Sequence, residues 1–181
     1  MNAIRYWAWT VAIGAGLMIV RAGAQGELDP AAPPGPAMKT LAQIEPRIPI
    51  TNLPTRIERP GSYYLVSNLT SSSHGIVVAT NGVTLDLMGF TLSGDGDTVD
   101  CGIWVGGSAD APVCGAVIRN GTVRNFGNGI RVENAVGGSF EHLALVQNTS
   151  EGIWFRAVEG KCNANVLSEC AIGSNAVYGI S

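Results

Sequence analysis

The segment Cys101-Gly102-Ile103-Trp104-Val105 is one copy of a phrase that this chain repeats. It stands earlier as His74-Gly75-Ile76-Val77-Val78. It returns as Asn128-Gly129-Ile130-Arg131-Val132, as Glu151-Gly152-Ile153-Trp154-Phe155 and as Tyr178-Gly179-Ile180-Ser181. The motif glycines are separated by 27, 27, 23 and 27 residues. A period of this length marks one supersecondary unit copied and stacked along an axis. Side chains alternate between the two faces of a strand. Ile76, Ile103, Ile130, Ile153 and Ile180 therefore share a face with Val78, Val105, Val132 and Phe155. That face is apolar and mostly β-branched, as a pleated buried surface favours. The intervening residues, Val77, Trp104, Arg131, Trp154 and Ser181, point the other way and vary in character.

Working outward, each copy holds further strand signals. Val83-Thr84-Leu85-Asp86-Leu87 alternates cleanly, with looser counterparts at Val117-Ile118, Phe140 to Leu145 and Val166-Leu167. A third apolar piece closes each unit at Phe90-Thr91-Leu92, Thr122-Val123, Leu145-Val146 and Ala171-Ile172. An antiparallel sandwich also has many short strands, but its strands need not resemble one another at a fixed period. Like residues returning at like phase favour a solenoid of parallel strands, with rungs roughly 4.8 Å apart. Asn125, Asn148 and Asn175 each precede a motif glycine by four residues. Asparagine suits a left-handed turn, and a stack of asparagines forms an amide ladder.

Pro60 to Leu65, Val83-Thr84-Leu85-Asp86-Leu87-Met88-Gly89-Phe90-Thr91-Leu92 and Val117-Ile118-Arg119-Asn120-Gly121-Thr122-Val123 resemble the right-handed parallel β-helix proteins of the pectin-lyase-like superfamily. The likeness is nearest to secreted bacterial β-helix-repeat proteins of unassigned function. It covers about Met38 to Ser181, and Met38 to Arg47 resembles the lead-in of those proteins. The resemblance implies an all-β solenoid of about 4–5 coils and leaves the activity open, because one fold hosts many functions. Polygalacturonase-like members carry Asn-Thr-Asp, Asp-Asp, Gly-His-Gly and Arg-x-Lys elements. None occurs in this chain, where Asn148-Thr149-Ser150 and His74-Gly75 are the nearest strings. Glycosidic hydrolysis needs two facing carboxylates, and Asp86, Glu133, Glu141, Glu151 and Glu169 read as exposed acids without a paired phase.

Arg5, the 13-residue uncharged run Ala8 to Val20 and the small-x-small triplet Ala22-Gly23-Ala24 predict a signal peptide over residues 1–24. The run is shorter than the roughly 20 residues of a membrane span, which favours cleavage over an anchor. Residues 25–47 form a lead-in rich in proline (Pro30, Pro33, Pro34, Pro36), with room for a short capping helix over Met38 to Glu45. The β-helix domain is expected over 48–181, in a secreted, periplasmic or cell-surface protein.

Removing Arg5 and Arg21 with the leader leaves 9 basic against 14 acidic residues, a net charge of −5. This balance disfavours nucleic acid and anionic membrane as partners. Four cysteines in an exported chain suggest disulfides, with Cys101–Cys114 and Cys162–Cys170 as the local pairing and buried free thiols as the rival reading.

Two function classes remain. In one, Trp104, Arg131 and Trp154 form an outward column on three successive coils and bind polysaccharide or a cell-surface glycan on a non-catalytic scaffold. A loop over the column or a subunit contact would also account for it. In the other, the chain is a polysaccharide-lyase-like enzyme, with an arginine base among Arg119, Arg124, Arg131 and Arg156. Asp95, Asp97 and Asp100 would then hold calcium, although the loop lacks the spacing and terminal Glu of an EF-hand and a solvated polar turn is the commoner explanation. No cofactor is otherwise expected. The final rung, Tyr178 to Ser181, carries no capping element, so a shortened reading frame or a contact with another chain is expected there.

Overall fold

A computed structural model describes residues 44–158 and 160–181. The expected leader, the proline-rich segment and nearly all of the expected capping helix lie outside the described residues. Within them, strands β1 (Ile48–Ile50) and β2 (Thr55–Ile57) precede five coils. The first holds β3 (Gly61–Leu65), β4 (Leu69–Thr70) and β5 (Ile76–Val78). The second holds β6 (Val83–Asp86), β7 (Thr91–Ser93) and β8 (Cys101–Gly106). The third holds β9 (Val113–Cys114), β10 (Val117–Arg124) and β11 (Asn128–Glu133). The fourth holds β12 (Ala135–Val136), β13 (Ser139–Val146) and β14 (Glu151–Arg156). The fifth holds β15 (Val166–Ser168), β16 (Ala171–Gly173) and β17 (Tyr178–Ile180).

Every strand pairing is parallel, and the protein is a β-solenoid. One sheet runs β2-β5-β8-β11-β14-β17 and carries the repeated phrase. Its register stacks Ile76 on Ile103, Ile103 on Ile130, Ile130 on Ile153 and Ile153 on Ile180. The first four of these side chains are fully buried. The other large sheet has two limbs. Tyr63, Leu85, Ile118, Phe140 and Leu167 form one inward ladder. Leu69, Leu92, Val123, Leu145 and Ile172 form the other. The three ladders meet in one continuous apolar core. Burial of like side chains over like drives the stacking, and each coil completes its neighbour's core.

Two local expectations change. The second and third strand signals of the later coils fuse into the eight-residue strands β10 and β13. Asn120 and His142 bend these strands at φ near +60° and +52°. Asparagine enters the left-handed region readily and histidine is enriched there, and Gly121 follows Asn120 whereas Leu143 follows His142.

The asparagine ladder is also shorter than the spacing suggests. Asn148 is buried, and Asn175 Oδ1 accepts from both its backbone N–H and its side-chain amide, each at 3.0 Å. In the coil below, the matching place belongs to Phe126, whose N–H donates to Asn148 Oδ1 at 3.2 Å. Asn125 lies one step earlier, in a left-handed corner shared with Gln147 and Ser174. The turn between β10 and β11 is one residue shorter than that between β13 and β14, which moves Asn125 out of phase.

The links leaving the repeated strand differ in length. Residues 107–116 join β8 to β10, with β9 inside the link, whereas residues 134–138 suffice between β11 and β13.

Candidate functional site

On the outer face of the β8-β11-β14 sheet, Trp104, Arg131 and Trp154 occupy directly adjacent rungs. The strand register imposes this column, because each residue lies one position past a buried motif isoleucine. The Arg131 guanidinium carbon sits 4.9 Å from the Trp104 ring centroid and 5.1 Å from that of Trp154. Arg156 reaches the Trp154 ring from the strand end, at 5.3 Å. A guanidinium between two indole faces is attracted to both quadrupoles. Arg131 Nη2 also contacts Glu133 Oε2 at 2.5 Å, an ion pair in which both side chains are mostly buried.

Below the column, Val77 and then Arg56 continue the same phase. Arg56 Nε donates to Glu58 Oε1 at 2.9 Å in an exposed pair. The link after β8 rises beside Trp104. A Cβ on Gly106 would fall 2.5 Å from Trp104 Nε1, so the indole lies directly against the Gly106 backbone. This close approach needs glycine. Trp104 Nε1, Arg131 Nε and Glu133 Oε2 are all buried without a hydrogen-bond partner, so the Arg131–Glu133 contact is a charge pair without hydrogen-bond alignment. Trp104, Val77, Ala79 and Arg56 line one side of a cleft of about 410 Å³, and Gly107, Ser108 and Ala111 line the other. The loop therefore walls the lower end of the column.

His74 packs edge-on to Trp104 with ring centroids 5.6 Å apart. Its Nδ1 accepts the Cys101 backbone N–H at 3.0 Å, and Asp100 Oδ1 lies 3.2 Å from the same nitrogen. Neither histidine nor Asp100 was marked for this arrangement by a motif. Position 74, one before the motif glycine, is the only signal the sequence holds for it.

The calcium candidates are spread between two tasks. Asp95 Oδ1 accepts the Asp97 N–H at 3.1 Å, and Asp97 Oδ1 accepts the Val99 N–H at 3.0 Å, so both fold their own loop. Asp100 turns to His74. Among the described residues, no group of three or more His, Cys, Asp or Glu side chains converges as a metal site would require.

The expected disulfides are not formed, and all four cysteines are free. Cys101 opens β8 beside His74 and Asn128. Cys114 lies past the other end of that strand, where its N–H donates to Asn81 Oδ1. The six residues of β8 separate the two ends by about 16 Å at the rise of a strand, far beyond a disulfide's reach. Cys162 Sγ packs against Val132 O at 3.6 Å and Cys170 Sγ against Phe140 O at 3.3 Å, on different sheets of the solenoid. Burial pushes the Cys101 thiol pKa up, against weaker opposing contributions from Arg131 and Asn128.

A second polar region lies on the corner of β10 and β13. Asp86, expected to be exposed, is buried and accepts from Arg119 Nε at 3.1 Å, Asn120 Nδ2 at 3.2 Å and the Met88 N–H at 2.9 Å. His142 Nε2 lies 2.7 Å from Glu169 Oε2, both exposed, along an open groove of about 530 Å³. The corner residues share a phase only because β10 and β13 fuse, so sequence spacing did not pair them.

The chain matches no protein-family model, no curated protein and no solved structure.

Proposed function

We propose that this protein is a secreted or periplasmic β-solenoid scaffold that binds polysaccharide on the sheet face carrying Trp104, Arg131 and Trp154, without cleaving it. The observation that carries this reading is the aromatic column with a cleft at its foot. A row of rungs about 4.8 Å apart presents repeated surface to a repeating polymer. Both indoles are partly exposed, and indole rings offer apolar surface against which sugar rings pack. The sequence resemblance to pectin-lyase-like β-helix proteins is consistent with a carbohydrate partner and stops short of naming one.

The lyase alternative fares less well against the geometry. An arginine base must give up a proton, and a nearby carboxylate favours the charged form. Arg119 is held by Asp86 and Arg131 by Glu133, while Arg156 lies over Trp154 and Arg124 Nε donates to Ser93 Oγ. Asp95 and Asp97 each give one carboxylate oxygen to their own backbone, and Asp100 turns to His74, so the three carboxylates are not gathered around one point.

Affinity electrophoresis through gels containing soluble polysaccharides tests the reading. Retardation of the wild-type protein by at least one glycan, weakened in Trp154→Ala, is the expected result. Equal mobility of both proteins in every gel would end the proposal.

A further inference from the structure

The geometry points to a neutral sugar, and not a uronate, as the residue that the cleft beside Trp104 accepts. This inference rests on the glycan-binding reading above and specifies the chemistry of that same face.

The cleft's walls are Trp104, Val77 and Ala79 on one side and the small residues of the 107–111 loop on the other. Its one cationic side chain among the described residues is Arg56, whose Nε is already engaged by Glu58 at 2.9 Å. The next cation along the column, Arg131, is paired with Glu133 and closed between two indoles. Both arginines meet a carboxylate two positions later on their own strand line, so the face offers paired charges at these two rungs. A uronate entering the cleft would approach Arg56 with Glu58 beside it. It would gain little net attraction from an arginine whose charge Glu58 already offsets. A neutral ring keeps its hydroxyls at the open mouth and stacks its C–H face on the indole.

Three of the loop's backbone N–H groups are paired within the fold. Gly107 N–H donates to Glu133 O, Ser108 N–H to Ala111 O, and Ala111 N–H to Ser108 Oγ. Recognition of a neutral ring therefore draws on no free charge and should depend weakly on salt.

The test is isothermal titration of the folded protein with cello-, xylo-, manno- and chitohexaose, and with hexagalacturonate and hexamannuronate, at 50 and 500 mM NaCl. At least one neutral hexamer should bind at least tenfold tighter than either uronate, with a dissociation constant changing less than twofold between the two salts. Ala111→Trp, which fills the cleft from an exposed loop position and leaves the core untouched, should weaken neutral binding at least tenfold. Trp104→Ala should do the same. Glu58→Gln should release Arg56 and strengthen uronate binding at least threefold, without altering neutral binding. Uronate binding equal to or tighter than neutral binding, lost on raising salt, would overturn this inference and leave the glycan reading standing. So would a Glu58→Gln variant with unchanged uronate affinity. Binding of no hexamer by the wild-type protein, with no retardation in polysaccharide gels, would overturn both.

Discussion

Arg131→Met tests the column as a structural unit. The substitution keeps an unbranched apolar stem and removes the guanidinium. It deletes two ring contacts, at 4.9 and 5.1 Å. The Arg131 side chain is 21% exposed, so each contact lies between the surface and desolvated cases, at about 1 kcal/mol. It also strands Glu133, whose side chain is 14% exposed, and an unpaired buried polar group of this kind costs about 1–3 kcal/mol. The total is about 3–5 kcal/mol, with part recovered by the packing of methionine. Arg131→Met/Glu133→Gln removes the stranded charge and should cost about 2 kcal/mol, less than the single substitution. Urea unfolding read by tryptophan fluorescence measures both. A slope of about 2 kcal/mol per M places the single variant's midpoint about 1.5 M below wild type. A loss below about 0.5 kcal/mol in Arg131→Met would show that the indole sandwich contributes nothing. Equal losses in the single and double variants would refute the stranded-carboxylate step and leave the ring contacts as the whole effect.

Other outcomes follow from single positions. A Cβ at Gly102 would lie 2.2 Å from Val123 Cγ1 and 2.7 Å from Gly129 O, whereas nothing lies within 4 Å of one at Gly173. Gly102→Ala should therefore cost more than about 3 kcal/mol, and Gly173→Ala should stay within about 0.5, by the same urea assay. Asn148→Gly should lose about 2 kcal/mol, because the Phe126 N–H is left buried without an acceptor. Asn125→Gly should be nearly neutral, because its left-handed backbone suits glycine; equal losses at the two sites would contradict the phase shift. Thiol labelling at pH 8 should modify the exposed Cys114 quickly. Cys101, buried and with its pKa raised, holds less thiolate at that pH and should react only on unfolding. Four thiols should titrate in denaturant, and fewer would indicate a bridge.

What the sequence showed and what it hid divide along the solenoid's two kinds of order. Positions fixed by stacking were legible, because Ile103, Ile130 and Ile153 must fall under one another whatever the coil length between them. Trp104, Arg131 and Trp154 inherit that certainty by standing next to them. Positions fixed by corners were not. His142 bends its strand without any turn signature, the Asn120-Gly121 pair bends a strand without ending it, Asn125 slips by one residue, and the distance from Cys101 to Cys114 depends on where β8 ends.

The one irregular interval, 23 residues between Gly129 and Gly152, joins the two kinds. Relative to the preceding coil, the link after the motif strand is five residues shorter and the asparagine turn one residue longer. The core ladders tolerate both changes, since neither falls inside a stacked strand. The preceding coil's longer link is the loop that walls the cleft beside Trp104. In repeat proteins, insertions collect on the face that binds. If the loop served only to connect, cutting residues 107–111 down to the short link of the next coil would leave glycan affinity unchanged. Loss of affinity at retained stability is the expected outcome, and it would separate the loop as a binding wall from the loop as a tether.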